Sequence, residues 1–162
     1  MFNGERPACP RGCCGEVHRH GCYFRYACPS GTETFPVQRY WCPSCELTIS
    51  VLPADRLPYR PLEGARLEKH FNKQAEIGSG PDPPPALLEA GCLRRAWARF
   101  QTRVSILGKA FGLLIASVTD SAAALWKQMR LAKATLQGIL QYLAQAHKGS
   151  LLADYQCLHV PS

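Results

Sequence analysis

The chain has 162 residues, enough for one ordinary domain or two small ones and too few for a large multidomain enzyme. Apolar residues make up 46% of it and charged residues 19%, which excludes a disordered polymer or a coiled-coil rod as a description of the whole chain. The formal net charge of +7 favours an anionic partner such as nucleic acid.

Nine cysteines are unevenly distributed along the chain, and seven of them lie between Cys9 and Cys45. The first residues contain no apolar segment of the kind found in signal peptides, so we expect a reducing, cytoplasmic environment. The longest apolar stretch, 104–118, is interrupted by Lys109 and is shorter than a membrane helix requires. We therefore expect no membrane association, and the clustered cysteines indicate a metal site.

Two groups of cysteines have the spacing of metal-binding knuckles. Cys42 and Cys45 form a C-x2-C sequence, in which a tight turn brings two thiolates to one metal ion. Upstream, Cys9 is followed by adjacent Cys13 and Cys14, so the partner knuckle is C-x3-C or C-x4-C. The glycine after Cys14 favours Cys14 as the ligand, with Cys13 as the alternative. We predict one structural Zn²⁺ bound by four thiolates.

Strand patterns surround the second knuckle. Apolar residues alternate along 34–41, and 46–52 form a second β-rich run. Three short antiparallel strands around the metal are therefore expected within residues 1–62, as a zinc ribbon. A core of this size depends on its metal for folding. We interpret Cys22 and Cys28 as unpaired thiols.

The same region resembles a known family. The residues that carry the resemblance are Cys9-Pro10, Arg19-His20-Gly21, Arg39-Tyr40-Trp41-Cys42-Pro43-Ser44-Cys45, Ile49-Ser50-Val51 and Leu57-Pro58. Over about residues 9–62 they resemble the zinc-ribbon head of insertion-sequence transposases and of a related bacterial family of uncharacterised ribbon proteins. In that family the ribbon precedes a helix-turn-helix, and the pair binds transposon DNA. Catalysis belongs there to a separate acidic-triad nuclease domain or subunit.

This chain departs from the family pattern at three places. The first knuckle is wider by one or two residues and contains adjacent cysteines. Glu46 follows the second knuckle, where the family prefers a glycine or a basic residue. No recognisable helix-turn-helix follows Arg60.

Basic residues in the ribbon are candidates for nucleic-acid contact. They are Arg19, His20, Arg25 and Arg39. Basic and aromatic side chains together are typical of surfaces that meet a phosphate backbone or stack on bases. The alternative is an ordinary solvated face.

We interpret residues 63–85 as a connector followed by a linker. Leu67 and Phe71 are four residues apart, which fits one short helix, but the pattern is too brief to predict a packed element. Residues 78–85 combine Gly and Ser with proline, a composition that supports neither a helix nor strand pairing.

The charge differs between the two sides of this linker. Residues 1–85 contain 10 basic and 9 acidic side chains, whereas residues 86–162 contain 9 basic and 3 acidic ones. Most of the excess positive charge therefore belongs to the C-terminal region, away from the clustered cysteines.

Two helical patterns follow within residues 86–150. Apolar residues recur at steps of three and four along 93–118 and again along 125–146. Cap-forming side chains at 119–121 separate them, which predicts an antiparallel helical hairpin. Its long apolar seams need further packing on a second copy, a partner protein or the ribbon. The tail, 151–162, is apolar but has no predicted position.

Basic side chains form a predicted ridge on the first of these helices. Arg95, Arg99 and Arg103 are spaced by four residues, and Arg94 adjoins them. Only Glu89 is near enough in sequence to neutralise them. We expect phosphate contact rather than base reading, with a solvated face as the alternative.

The sequence thus predicts a small α+β protein with an N-terminal zinc ribbon, a Pro-rich linker and a helical hairpin. The predicted function is zinc and DNA binding, as an accessory or remnant of a mobile element. No acidic triad or other catalytic constellation stands out, so we expect no catalysis by this chain alone. The alternative is a protein-interaction or oligomerisation module in which zinc is purely structural.

Overall fold

A sheet and five helices form the part of the chain that the structure, a computed structural model, describes. That part comprises residues 6–53, 55–57, 60–78, 84–113, 121–147, 149–153 and 158–159. The strands are β1 (His18–Tyr26), β2 (Thr34–Cys42), β3 (Leu47–Leu52) and β4 (Leu158–His159). The helices are α1 (Gly64–Gln74), α2 (Leu87–Thr102), α3 (Val104–Ala110), α4 (Ala122–Lys133) and α5 (Leu136–His147).

The strands lie in the order β1-β2-β3-β4, and the first three are antiparallel, which confirms the predicted three-stranded sheet. β4 was not predicted, and it pairs in parallel with β3 near the end of the chain. The register of β1 shifts between Arg19 and Cys22, where Gly21 has a φ of 87°. A positive φ is readily adopted by glycine, so this residue accommodates the irregularity in the strand.

The two faces of the sheet bury different residues. Tyr40, Cys42 and Ile49 belong to a ribbon core that also contains Cys9 and Val17. On the other face, a second small cluster consists of Ala27, Phe35, Val37 and Leu52. The alternation along β2 therefore positions the end of the strand, Cys42, at the first of these cores.

The interpretation of 63–77 as a connector is wrong, because α1 lies in the helical core. Phe71 is fully buried, and its ring centroid lies 4.8 Å from that of Trp97 and 5.1 Å from those of Phe100 and Trp126. The contacts with Trp97 and Trp126 are edge-on, a geometry that stabilises aromatic clusters beyond the burial of their area. α1 thus supplies packing for the apolar seams that were expected to need a partner.

Ion pairs join α1 to its neighbours. Arg66 donates from Nε and Nη2 to the two carboxylate oxygens of Glu89 on α2, at 3.0 and 2.9 Å. Arg130 on α4 pairs with Glu68. Both pairs are partly buried, so they fix the orientation of α1 between the two helices.

The described residues of the region predicted as a hairpin contain four helices, and that prediction is corrected here. The first apolar pattern is divided at Arg103, between α2 and α3. The predicted start of the second pattern near Ser121 is confirmed, since its Oγ accepts a hydrogen bond from the Ala124 amide at 3.2 Å. That pattern divides again at Ala134, which has a φ of 57°.

The segment before α1 connects the ribbon to the helical core, because Leu57 is buried in that core and the adjacent Arg56 contacts the ribbon. Arg56 donates from Nη1 to the Ala27 carbonyl at 3.1 Å, and its guanidinium lies 5.2 Å from the centroid of the Phe35 ring. Leu151 and Leu152, at the start of the tail, are buried in the helical core. Residues 79–83 of the predicted linker lie outside the described residues.

Candidate metal centre and basic surfaces

Four cysteine thiols converge where the two knuckles meet. The sulfur atoms of Cys9, Cys13, Cys42 and Cys45 all lie within 4.8 Å of one another. The Sγ atoms of Cys9 and Cys45 are 3.8 Å apart, and those of Cys13 and Cys42 are 3.3 Å apart. All four are free cysteines, since a disulfide would require about 2.0 Å. The group is a candidate site for one metal ion.

The first knuckle uses Cys13, which corrects the sequence-based preference for Cys14. Gly12 has a φ of 68°, and its amide donates to the Cys9 carbonyl at 2.9 Å. This turn directs Cys13 toward Cys9. Cys14 is exposed and lies outside the cluster. The glycine that forms the turn therefore precedes the second thiol of the knuckle instead of following it.

Gly15 allows the two knuckles to approach each other. A Cβ atom at this position would lie 2.2 Å from Oγ and 2.8 Å from Cβ of Ser44, far inside ordinary contact distance. The Gly15 amide also hydrogen-bonds to the thiol of Cys13. Because Gly15 has no side chain, Ser44 of the opposing knuckle can lie against it while the Gly15 amide faces the cluster.

Neighbouring groups shift the pKa values of three thiols in the cluster in different directions. Hydrogen bonds from Cys42 and from the Gly15 amide lower the pKa of Cys13 to about 7. Burial raises the pKa of Cys42, and the hydrogen bond with Cys13 raises the pKa of Cys45 to about 12. Opposite shifts are expected for adjacent thiols, because several neighbouring negative charges are stable only with a cation between them.

The geometry and the donor type fit a tetrahedral metal ion. With metal–sulfur bonds of about 2.3 Å, two ligands of a tetrahedral zinc site lie about 3.8 Å apart. The Cys9 to Cys45 separation equals this value. Four thiolates suit zinc or iron, whereas magnesium and calcium prefer oxygen ligands. The cluster is therefore compatible with the predicted zinc ribbon.

The predicted nucleic-acid residues of the ribbon lie on both faces of the sheet. Arg19 is exposed and paired with Tyr40, whereas Arg25 is half-buried and paired with Phe35. Residues paired across two strands point to the same face of the sheet, and successive residues along one strand point to alternate faces. Because Phe35 and Tyr40 are an odd number of residues apart on β2, their partners Arg25 and Arg19 point to opposite faces. Arg39, half-buried on β2, shares the face of Arg25. His20 is exposed on β1.

The arginine ridge on α2 is shorter than predicted. Arg94, Arg95 and Arg99 are exposed, but Arg103 is only 8% exposed and donates from Nη2 to the Ser150 carbonyl at 3.3 Å. α2 ends at Thr102, so the four-residue spacing no longer keeps Arg103 on the same face. Arg103 is removed from the candidate nucleic-acid contacts, and "the α2 ridge" below means the other three arginines.

Sequence reasoning did not single out two exposed aromatic residues on β1. Phe24 is 68% exposed and Tyr26 is 61% exposed. The available signal was the composition of 18–26, which combines basic and aromatic residues without any acidic residue.

Comparisons with protein-family models, curated proteins and solved structures found no match to this chain. The fold and the site define a small α+β protein with a four-cysteine candidate metal centre. The likeness to transposase zinc ribbons remains a prediction from the motifs. Among the described residues, no helix combines the length and apolar character needed to cross a membrane.

Proposed function

We propose that this chain is a zinc-stabilised DNA-binding protein, related to the N-terminal regions of transposases and without catalytic activity of its own. The observation that carries the proposal is the convergence of four thiols from two knuckles at one end of the sheet. Zn²⁺ suits this site because a closed set of four thiolates gives a redox-inert structural centre. The ion would hold the knuckles together in a ribbon whose own core is small.

Metal analysis of the purified protein tests the zinc site. We expect one Zn²⁺ per chain, lost in Cys13→Ser and in Cys42→Ser because each removes a ligand. The matched control is Cys14→Ser, which changes the adjacent exposed thiol and should retain the metal. Iron in place of zinc, or loss of metal in the Cys14 variant with retention in the Cys13 variant, would contradict the proposed site.

The α2 ridge supports DNA binding through phosphate contacts. Arg94, Arg95 and Arg99 are exposed on one helix in the more basic half of the chain. Glu89, the acidic residue nearest to them in sequence, is engaged by Arg66 of α1. The carboxylate expected to neutralise the ridge is therefore held by another helix, which favours an external anion at the ridge.

Salt-dependent binding to duplex DNA tests the ridge. Replacing its three arginines with glutamine should weaken binding and reduce the slope of log affinity against log salt by about 3, if each contacts one phosphate. The control is Lys127→Gln, which removes an exposed charge from α4. Fluorescence anisotropy with one labelled duplex at several salt concentrations measures both. An unchanged slope in the triple variant would contradict phosphate contact by α2.

The alternative function, oligomerisation through the helical seam, has weaker support. That alternative was based on apolar seams that are longer than a hairpin of two helices can bury. Within the described residues, α1 packs against these seams through Phe71, and the central aromatic residues are fully buried. We therefore favour DNA over a second copy as the partner of this protein.

A further inference from the structure

An exposed aromatic surface lies along β1, and we define it by Phe24 and Tyr26. In the sheet of the described residues, β1 is an edge strand. Phe24 is paired with Pro36 and Tyr26 with Thr34, so both rings are on the same face of the sheet. Residues two apart on a strand are about 6.8 Å apart, which leaves each ring accessible by itself.

The hairpin turn supports one of these rings. Gly31 has a φ of 72°, and a Cβ atom there would lie 3.6 Å from Cε1 of Tyr26. The ring is therefore adjacent to the turn, yet more than half exposed. An aromatic side chain placed in this way presents a surface to a ligand at little conformational cost.

β1, the strand that carries this surface, contains basic but no acidic side chains, and of its two arginines only Arg19 lies on the face of the rings. The nine residues of β1 include two arginines and two histidines and no acidic residue. Arg19 is exposed and is paired with Tyr40, an even-numbered position like Thr34 and Pro36, so it shares the face of the two rings. Positive charge beside exposed rings matches a ligand that carries both anionic groups and flat apolar groups.

Pairing with the β1 strand of a second copy fits this edge less well than binding of an anionic ligand does. Another β1 strand would bring arginines and histidines of the same charge together. The register shift at Gly21 also interrupts the row of backbone groups that an added strand would need. The charge complementarity of β1 thus favours an anion over a further strand.

We infer that β1 binds single-stranded DNA, with unpaired bases stacked on Phe24 and Tyr26 and a backbone phosphate at Arg19. This inference rests on the proposed DNA-binding function and specifies a substrate for the ribbon. In a duplex the faces of the bases are already stacked on each other, whereas in a single strand they are available to aromatic rings. β1 therefore recognises unpaired DNA, and the α2 ridge contacts phosphates of either form.

The test compares a labelled oligothymidine with a labelled duplex of the same length by fluorescence anisotropy. Phe24→Ala/Tyr26→Ala should bind oligothymidine about tenfold more weakly or worse and bind the duplex as wild type does. Phe24→Tyr/Tyr26→Phe keeps both rings and should retain wild-type affinity. Leu131→Ala, which changes an exposed apolar residue on α4, is the control for unspecific surface effects. Wild-type zinc content in each variant verifies the fold.

The inference would be overturned by unchanged oligothymidine affinity in the alanine variant, by equal loss for both ligands, or by a changed oligomeric state without a change in affinity. The last would assign the surface to a second copy. Duplex binding that depends on the α2 ridge, together with no binding of oligothymidine, would refute this inference and leave the proposed function intact. Failure of the wild type to bind either DNA would refute the proposed function itself.

Discussion

At the residue scale, Gly15 is the position where the two knuckles are closest. Gly15→Ala would place a Cβ atom 2.2 Å from Oγ of Ser44, which lies between two of the candidate ligands. We expect the knuckles to separate and the affinity for Zn²⁺ to fall about tenfold, as for other changes just outside a metal's ligands. Competition with a chromophoric chelator measures this. Gly15→Ala/Ser44→Gly removes the clash and should restore affinity, and wild-type affinity in the single variant would contradict this account.

His70 is a second residue with a specific prediction, because burial lowers its pKa and repulsion by Lys73 adds to the effect. Its buried Nε2 has no hydrogen-bond partner among the described residues. The unfolded chain, with a pKa near 6.5, is protonated first. The stability given by neutral His70 is thus present above about pH 6.5 and is lost as the pH falls through the folded pKa.

We therefore expect denaturant midpoints to fall more steeply in wild type than in His70→Gln between about pH 7 and pH 5. Tryptophan fluorescence during chemical denaturation measures the midpoints. Other titrating groups are common to both proteins, so their effects cancel in the difference. Parallel pH profiles of the two proteins would show that His70 does not contribute.

At the scale of elements, the break between α4 and α5 depends on a strained residue. Ala134 ends α4 with a φ of 57° and a ψ of −38°, and the Thr135 amide donates to the Lys133 carbonyl at 2.6 Å. Ala134 is therefore the central residue of a strained γ-turn, which glycine adopts more readily than alanine. Thr135 then begins α5, since its Oγ1 accepts from the Gly138 amide at 3.1 Å. Ala134→Gly should raise the free energy of unfolding by about 1 kcal/mol, because relief of roughly 1–3 kcal/mol of backbone strain exceeds the entropy cost of about 0.5–1 kcal/mol that glycine adds. Ala132→Gly, within α4, should lower it, and equal effects in chemical denaturation would contradict this explanation.

Those same elements show how far the sequence predicts the fold. The second knuckle and the start of α4 at Ser121 were predicted because each depends on residues close together in the chain. The end of α4 was missed because Ala134 is not one of the residues that usually end helices. A short helix was considered for α1, but its place in the core was missed, because its two most buried apolar positions, Leu67 and Phe71, form too short a pattern without the helices around them.

The candidate site shows the same limit. Spacing alone did not decide whether Cys13 or Cys14 is the candidate metal ligand. That choice depends on the turn at Gly12 and on the opposing knuckle at Ser44. Burial of Arg103 depends on where α2 ends and on the distant Ser150 carbonyl. Local patterns thus identified the chemistry of the site, whereas contacts between distant segments determined which residues take part.

At the scale of the whole molecule, the candidate metal centre and the helical body have separate cores. The ribbon core contains the candidate ligands Cys9 and Cys42 and is small. The helical core surrounds Phe71 and Trp126 and contains no member of the thiol cluster. Burial of apolar area stabilises the helices without the metal, whereas the ribbon lacks enough of it to fold alone.

Removal of the metal should therefore unfold the ribbon and leave the helices folded. After chelation we expect fast amide hydrogen exchange along β2 and β3, continued protection in α1 and α4, and little change in helical circular dichroism. Re-addition of Zn²⁺ should restore protection of the strands.

Joint loss of protection in both regions would show instead that Arg56, which contacts the Ala27 carbonyl and the Phe35 ring, couples the two cores into one cooperative unit. Arg56→Gln would then uncouple them, because it removes the charge over the ring and one donor at the junction.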